Sequence, residues 1–198
     1  MQVSRPIVWI IGFFAFLNVY SVQSVLPMVM DDFHASALQA GLTVGATVLA
    51  VGLVSPFMGM LSDAFGRKAI LCISMFALTV PTALIPVAHS LNMLIALRFL
   101  QGLAVPGIVV VLIAYLSEEF RNGGVIRMTS TYVGGTVMGG FCGRFITGHA
   151  GHLLGWRGAF VTLAVLNLLG ALLVWWALPA SRHFVPNRNF GGAMATLW

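Results

Sequence analysis

Charged residues fall along this chain in small groups separated by long runs that contain none. Residues 6–30, 35–62, 69–97, 99–117 and 158–181 carry no Lys, Arg, Asp or Glu. A helix rises about 1.5 Å per residue, so roughly 20 apolar residues cross the hydrocarbon of a bilayer. The pattern predicts six helices, near residues 7–29, 37–61, 69–88, 92–116, 127–148 and 157–178, the fifth interrupted by Arg144. The strands of a membrane barrel would instead alternate apolar and polar positions over about 10 residues, and these runs do not. The expected fold class is an all-α membrane protein of six transmembrane helices. A short segment over 1–6 precedes this body. A tail over 179–198, apolar again from Phe190, reads as the start of a linker.

Composition supports this reading. Hydrophobic residues make up 59% of the chain and charged residues only 8%, more apolar side chain than a soluble protein of this size can hide. The net charge of +5 does not mark a nucleic-acid binder, because the bases are scattered between membrane-length runs. With the N-terminus inside, Arg5, Arg67, Lys68, Arg121, Arg127, Arg182 and Arg188 share the cytoplasmic side and only Arg157 lies outside. The positive-inside rule then predicts both termini in the cytoplasm. The outer connections are expected at Asp31–Ser36, His89–Leu91 and His149–Trp156. A cleaved signal peptide is not expected, since the first apolar run is too long for a signal core and several like it follow. Cys72 and Cys142 lie within apolar runs and read as core filler. His149 and His152 have no third ligand nearby, so no metal is expected, and no phosphate-binding loop or nucleophile pattern implies a cofactor or an enzyme.

Between the second and third predicted helices stands GMLSDAFGRKAIL, Gly59 to Leu71. It suits a tight turn: Gly59 and Gly66 permit close approach or positive φ, Asp63 can accept N–H groups at a helix start, and Arg67 and Lys68 anchor the inner surface. RFLQG (Arg98 to Gly102) follows in the fourth helix, and GGTVMGGFCGRFITG (Gly134 to Gly148) in the fifth. Together these resemble the loop signature, the RxxQG element and the glycine-rich fifth helix of the major facilitator superfamily, in particular its proton-linked antiporters. Arg144 stands where those antiporters commonly have proline. YLSEEF (Tyr115 to Phe120), Trp156–Arg157 and LPASRHF (Leu178 to Phe184) narrow the resemblance to a bacterial inner-membrane branch akin to the Bcr/CflA drug exporters. The resemblance implies one half of the superfamily's twelve-helix fold, built as two inverted three-helix repeats.

Arg98 is the leading functional residue, since a guanidinium inside hydrocarbon needs a partner or a wet cavity. By resemblance it couples proton movement to substrate movement, and Gln101, one turn away, extends its polar surface. The dipole of its own helix opposes a cation there. Arg144 is expected at a similar depth, either facing a cavity or snorkelling to the outer interface. The two arginines favour an anionic or polar substrate. No acid lies inside a predicted helix, so a proton-carrying carboxylate belongs to a second half, unless Asp31 or Asp32 serves. Tyr20, Gln23, Ser24 and Pro27 form one stripe at helical spacing; the resemblance implies that the first helix lines a central cavity with Asn18, Tyr20, Gln23 and Ser24, the alternative being hydrogen bonds between helices. Gly135, Gly139 and Gly143 form a ladder for close helix packing, and Gly41, Gly45 and Gly52 can act in the same way. Trp156 with Arg157 reads as an interface anchor.

The expected function is secondary active transport of a small solute in a bacterial inner membrane, with protons as the coupling ion. Partners are the lipid bilayer, the solute, and a second six-helix half or a second copy. Two alternatives stand beside it: a truncated or split half that is inactive alone, and a small membrane scaffold.

Overall fold

The structure, a computed structural model, describes residues 3–120, 124–179 and 181. Arg121, Arg182, Arg188 and most of the expected linker lie outside the described residues. Within them the chain is helical throughout, with five segments long and apolar enough to cross a membrane.

The first segment is not one regular helix. α1 (Arg5–Val19) starts with proline in its first turn, where no intrahelical N–H is needed. It tightens into a 3₁₀ turn at Ser21–Val25, and α2 (Leu26–Phe33) then resumes the path. α3 (Ala37–Phe65) opens on a capping box in which Ser36 and Gln39 satisfy each other's end groups. It ends at Gly66, whose φ of 98° lets the chain reverse at once into α4 (Arg67–Leu84). α5 (Leu91–Glu119) begins with the Ser90 hydroxyl capping the Met93 N–H.

The last helical run, α6 (Gly124–Ala177), has 54 residues. Straight, it would extend about 81 Å, far beyond a bilayer. It is broken at Gly155, where φ 72° and ψ 169° place the backbone in a region open essentially only to glycine. The two arms, 124–154 and 156–177, fold back on each other. Along the first arm, Gly135, Gly139 and Gly143 meet the backbone of Trp9, Phe13 and Leu17 in that order, so it runs parallel to α1. Along the second, Trp156 reaches Asp32, Asn167 reaches Asn18 and Gly170 meets Phe14, so it runs antiparallel.

Two sequence expectations change here. The outer connection expected over His149–Trp156 is helical up to Leu154, because Ala150 and Gly151 stay buried, Gly151 against Val25 and Met28, and nothing before Gly155 breaks the helix. Trp156 is not an exposed interface anchor. It is 4% exposed, packs on Phe33 and donates its indole N–H to Asp32 (3.2 Å). Arg157 also binds Asp32 (2.7 Å) and the Ala88 carbonyl (3.1 Å), so one cluster ties together the ends of three segments.

The glycines divide into two sets. An added Cβ at Gly135, Gly139 or Gly143 would fall against a main-chain carbonyl of α1. At Gly41, Gly45 and Gly52 it would meet nothing within 4 Å, so their expected packing role has no partner within the described residues. α3 also leaves Leu42, Val48, Leu49 and Leu53 uncovered.

Candidate functional site

Arg98 lies seven residues into α5, about 10 Å along the helix, and is wholly buried. Its guanidinium is held by oxygens without a carboxylate among them. Nε donates to the Thr43 carbonyl (3.3 Å), Nη1 to the Asn18 carbonyl (3.1 Å) and to Gln101 Oε1 (2.7 Å), and Nη2 to the Val19 carbonyl (3.0 Å). The Asn18 and Val19 carbonyls are available because α1 stops there. Gln23 N–H, which a continuous helix would direct to Val19, instead reaches Tyr20 (3.3 Å). The cation therefore sits at the negative end of the α1 dipole. The unfavourable dipole expected from α5 alone is opposed by a second helix end that the sequence did not reveal.

The polar layer continues sideways. Gln101 Nε2 donates to Thr82 Oγ1 (2.7 Å), and Thr82 Oγ1 lies 3.3 Å from Asn18 Oδ1. Asn18 and Asn167 exchange two amide hydrogen bonds of 2.6 and 2.8 Å. Asn18 is thus 1% exposed and bridges helices instead of lining a cavity. Satisfying every group matters in hydrocarbon, where an orphaned polar atom costs several kcal/mol.

Arg144 occupies the opposite side of the first segment at the same level, since its neighbour Gly143 meets the Leu17 backbone. It is exposed, donates Nε to Gln23 Oε1 (2.9 Å) and places its guanidinium 4.6 Å above the Tyr20 ring. Its two terminal nitrogens have no partner among the described residues. Gly140 provides the floor on which the Tyr20 ring rests. An open pocket of 400 Å³ here includes Phe16, Tyr20, Thr136, Phe141 and Arg144. Of the expected stripe, Tyr20 and Gln23 meet Arg144, while Ser24 lies against Gly148 and Pro27 is exposed.

At the other end of the molecule, the Gly59–Leu71 turn builds an ion-pair cluster. Arg67 is 9% exposed; it pairs with Asp63, bonds Ser62 and the Gly59 carbonyl, and reaches across to Glu118 of α5 (2.7 Å). Glu118 lay in a quoted motif, YLSEEF, but 51 residues separate it from Arg67, so nothing in the sequence paired them. Lys68 makes no hydrogen bond or ion pair among the described residues.

The family description Major Facilitator Superfamily matches residues 8–196. The chain belongs to this superfamily. This member has the superfamily's membrane-embedded, transporter-like fold. Its curated relatives include the inner membrane transport protein YnfM of Escherichia coli, 33% identical over 177 residues, which make up 88% of this MFS chain and 42% of YnfM. The MFS-type transporter YybF of Bacillus subtilis is 32% identical over 177 residues, 89% of this chain and 44% of YybF. The quinolone resistance protein NorA of Staphylococcus aureus is 32% identical over 138 residues, 65% of this chain and 35% of NorA. The chain thus spans less than half the length of these relatives. A bacterial homologue of the human lysosomal transporter Spinster, in an inward-facing and unoccupied conformation, has the same fold with a TM-score of 0.81 at 18% identity, over 92% of this chain and 44% of its own.

Proposed function

We propose that this MFS chain forms the six-crossing amino-terminal half of a proton-coupled secondary transporter of the Bcr/CflA-like branch. It lies in a bacterial inner membrane with both termini cytoplasmic. Counting the two arms of α6 as separate crossings gives two groups of three, the inverted repeats of the superfamily. Arg5, Arg67, Lys68 and Arg127 at one end support the orientation.

The observation that carries the reading is the pair of arginines flanking the break in the first segment. Arg98 and Gln101 form the coupling element on the buried side. Because the guanidinium is held by carbonyls exposed at that break, any change in the break alters the cation's environment, and a rearrangement around Arg98 bends the first crossing. Arg144, Tyr20 and Gln23 form the solute-facing side, and the free guanidinium edge favours an anionic or strongly polar solute. The Asp63–Arg67–Glu118 cluster holds the turn after α3 against α5 in one state of an alternating-access cycle. A proton-carrying acid is supplied by a second half, since none of the five Asp and Glu residues lies at the level of Arg98.

A second reading, a split half that is inactive alone, draws support from the open glycine face of α3 and from the coverage of relatives. Reconstitution in liposomes separates the two: pH-driven solute flux from the chain alone favours a self-sufficient dimer, and flux only with a co-expressed six-crossing half favours the split form. In the active assembly, Arg98→Ala removes a donor from three carbonyls, of which Asn18 keeps the Ser21 hydroxyl (2.8 Å) and Thr43 the Thr47 hydroxyl (3.3 Å). Leaving one acceptor orphaned costs about 1–3 kcal/mol, so coupled flux should fall about tenfold or more while membrane insertion is retained. Unchanged flux from Arg98→Ala defeats the coupling assignment.

A further inference from the structure

At the basic end of the molecule, α4 and the returning arm of α6 leave a groove of 520 Å³ between them. Its walls are apolar: Cys72, Ile73 and Phe76 from α4, and Trp175 from the arm. Ile73 and Trp175 are 61% and 58% exposed, so the groove opens sideways to the surroundings of the helices. From Lys68 to Phe76 it follows eight residues of α4, about 12 Å, close to the depth of one leaflet in a hydrocarbon core of about 30 Å.

At its mouth Ser181 donates to Glu119 (3.1 Å). Among the described residues no Asp or Glu lines the groove itself. Arg67, also at the rim, is already met by Asp63 and Glu118. Lys68 has no counter-ion among the described residues, and its side chain stands where the apolar walls give way to the interface. An apolar slot about one leaflet deep, with Lys68 at its top lacking a counter-ion among the described residues, matches the chemistry of a lipid whose headgroup is negative.

We propose that this groove is a binding site for an anionic phospholipid of the adjoining leaflet, with an acyl chain between α4 and the α6 arm and its phosphate at Lys68. The site lies away from the Arg98 and Arg144 faces and stands independently of the transport reading. One basic residue near a charged bilayer surface corresponds to about a fivefold preference for the anionic lipid.

Trp175 reports on the groove directly. The purified chain is reconstituted in phosphatidylcholine bilayers doped with brominated phosphatidylglycerol or, at equal mole fraction, brominated phosphatidylcholine. The part of the fluorescence quenching that disappears in Trp175→Phe is then followed. Phosphatidylglycerol should reach half-maximal Trp175 quenching at about one-fifth the mole fraction of phosphatidylcholine. Lys68→Gln should abolish that difference and Lys68→Arg should retain it, with helical content unchanged in both. Inorganic phosphate should not relieve the quenching. Equal quenching by the two lipids, or a preference that survives Lys68→Gln, overturns the proposal; so does relief by phosphate, which would mark a free-anion site.

Discussion

Alanine at Gly139 and alanine at Gly45 should have opposite effects, although both glycines lie in membrane helices within small-residue repeats. At Gly139 the new Cβ falls against the Phe13 carbonyl and α-carbon, main-chain atoms that cannot rotate aside. The α6 arm must therefore move off α1, and overpacking of this kind costs about 1–3 kcal/mol. Backbone contact puts this case at the upper end. Glycine to alanine also gains about 1 kcal/mol of helix propensity, so the net loss is about 2 kcal/mol. Gly143, against the Leu17 carbonyl, should behave alike. At Gly45 nothing lies within 4 Å, so only the propensity gain remains and the isolated chain should become more stable by about 1 kcal/mol. Thermal unfolding of the detergent-solubilised chain, read by aggregation-corrected circular dichroism, separates the two sites by about 3 kcal/mol. Equal destabilisation at both would refute the packing argument and place a partner on the α3 face even in the isolated chain.

Two further outcomes follow from the turns. Gly155→Ala forces a side chain into backbone space open almost only to glycine and should cost about 1–3 kcal/mol; a disulfide engineered between the two α6 arms should then form more slowly, and an unchanged rate would contradict the hairpin geometry. Arg67→Gln leaves Glu118 without its cation. Because Glu118 keeps 24% of its side-chain surface exposed, the loss should be about 2 kcal/mol, below the range for a fully buried pair. Adding Glu118→Gln should recover most of it in the same unfolding assay.

The sequence carried the helices well, because uncharged runs of membrane length need no tertiary information to be read. It also carried the glycine ladder, whose four-residue spacing fixes one helix face, and the Gly59–Leu71 turn, whose residues are close in sequence. What it hid depends on other segments. The break after Val19 has no glycine or proline at its start, and Pro27 comes only after the 3₁₀ turn, so the carbonyls that hold Arg98 were not foreseeable. The Asn18–Asn167 pair joins residues 149 positions apart, so the sequence could not choose for Asn18 between a cavity wall and a helix-to-helix hydrogen bond. The first α6 arm runs past its expected end at residue 148 because the burial that keeps the helix going comes from Val25 and Met28, on another segment.

A turn made from one residue also has a mechanical consequence. Between Leu154 and Trp156 there is no slack for the two α6 arms to slide past each other, and Asp32 fastens the first crossing to the same corner through Trp156 and Arg157. The first segment and the two α6 arms are therefore joined at one corner, and a displacement of any one of them there is passed to the other two.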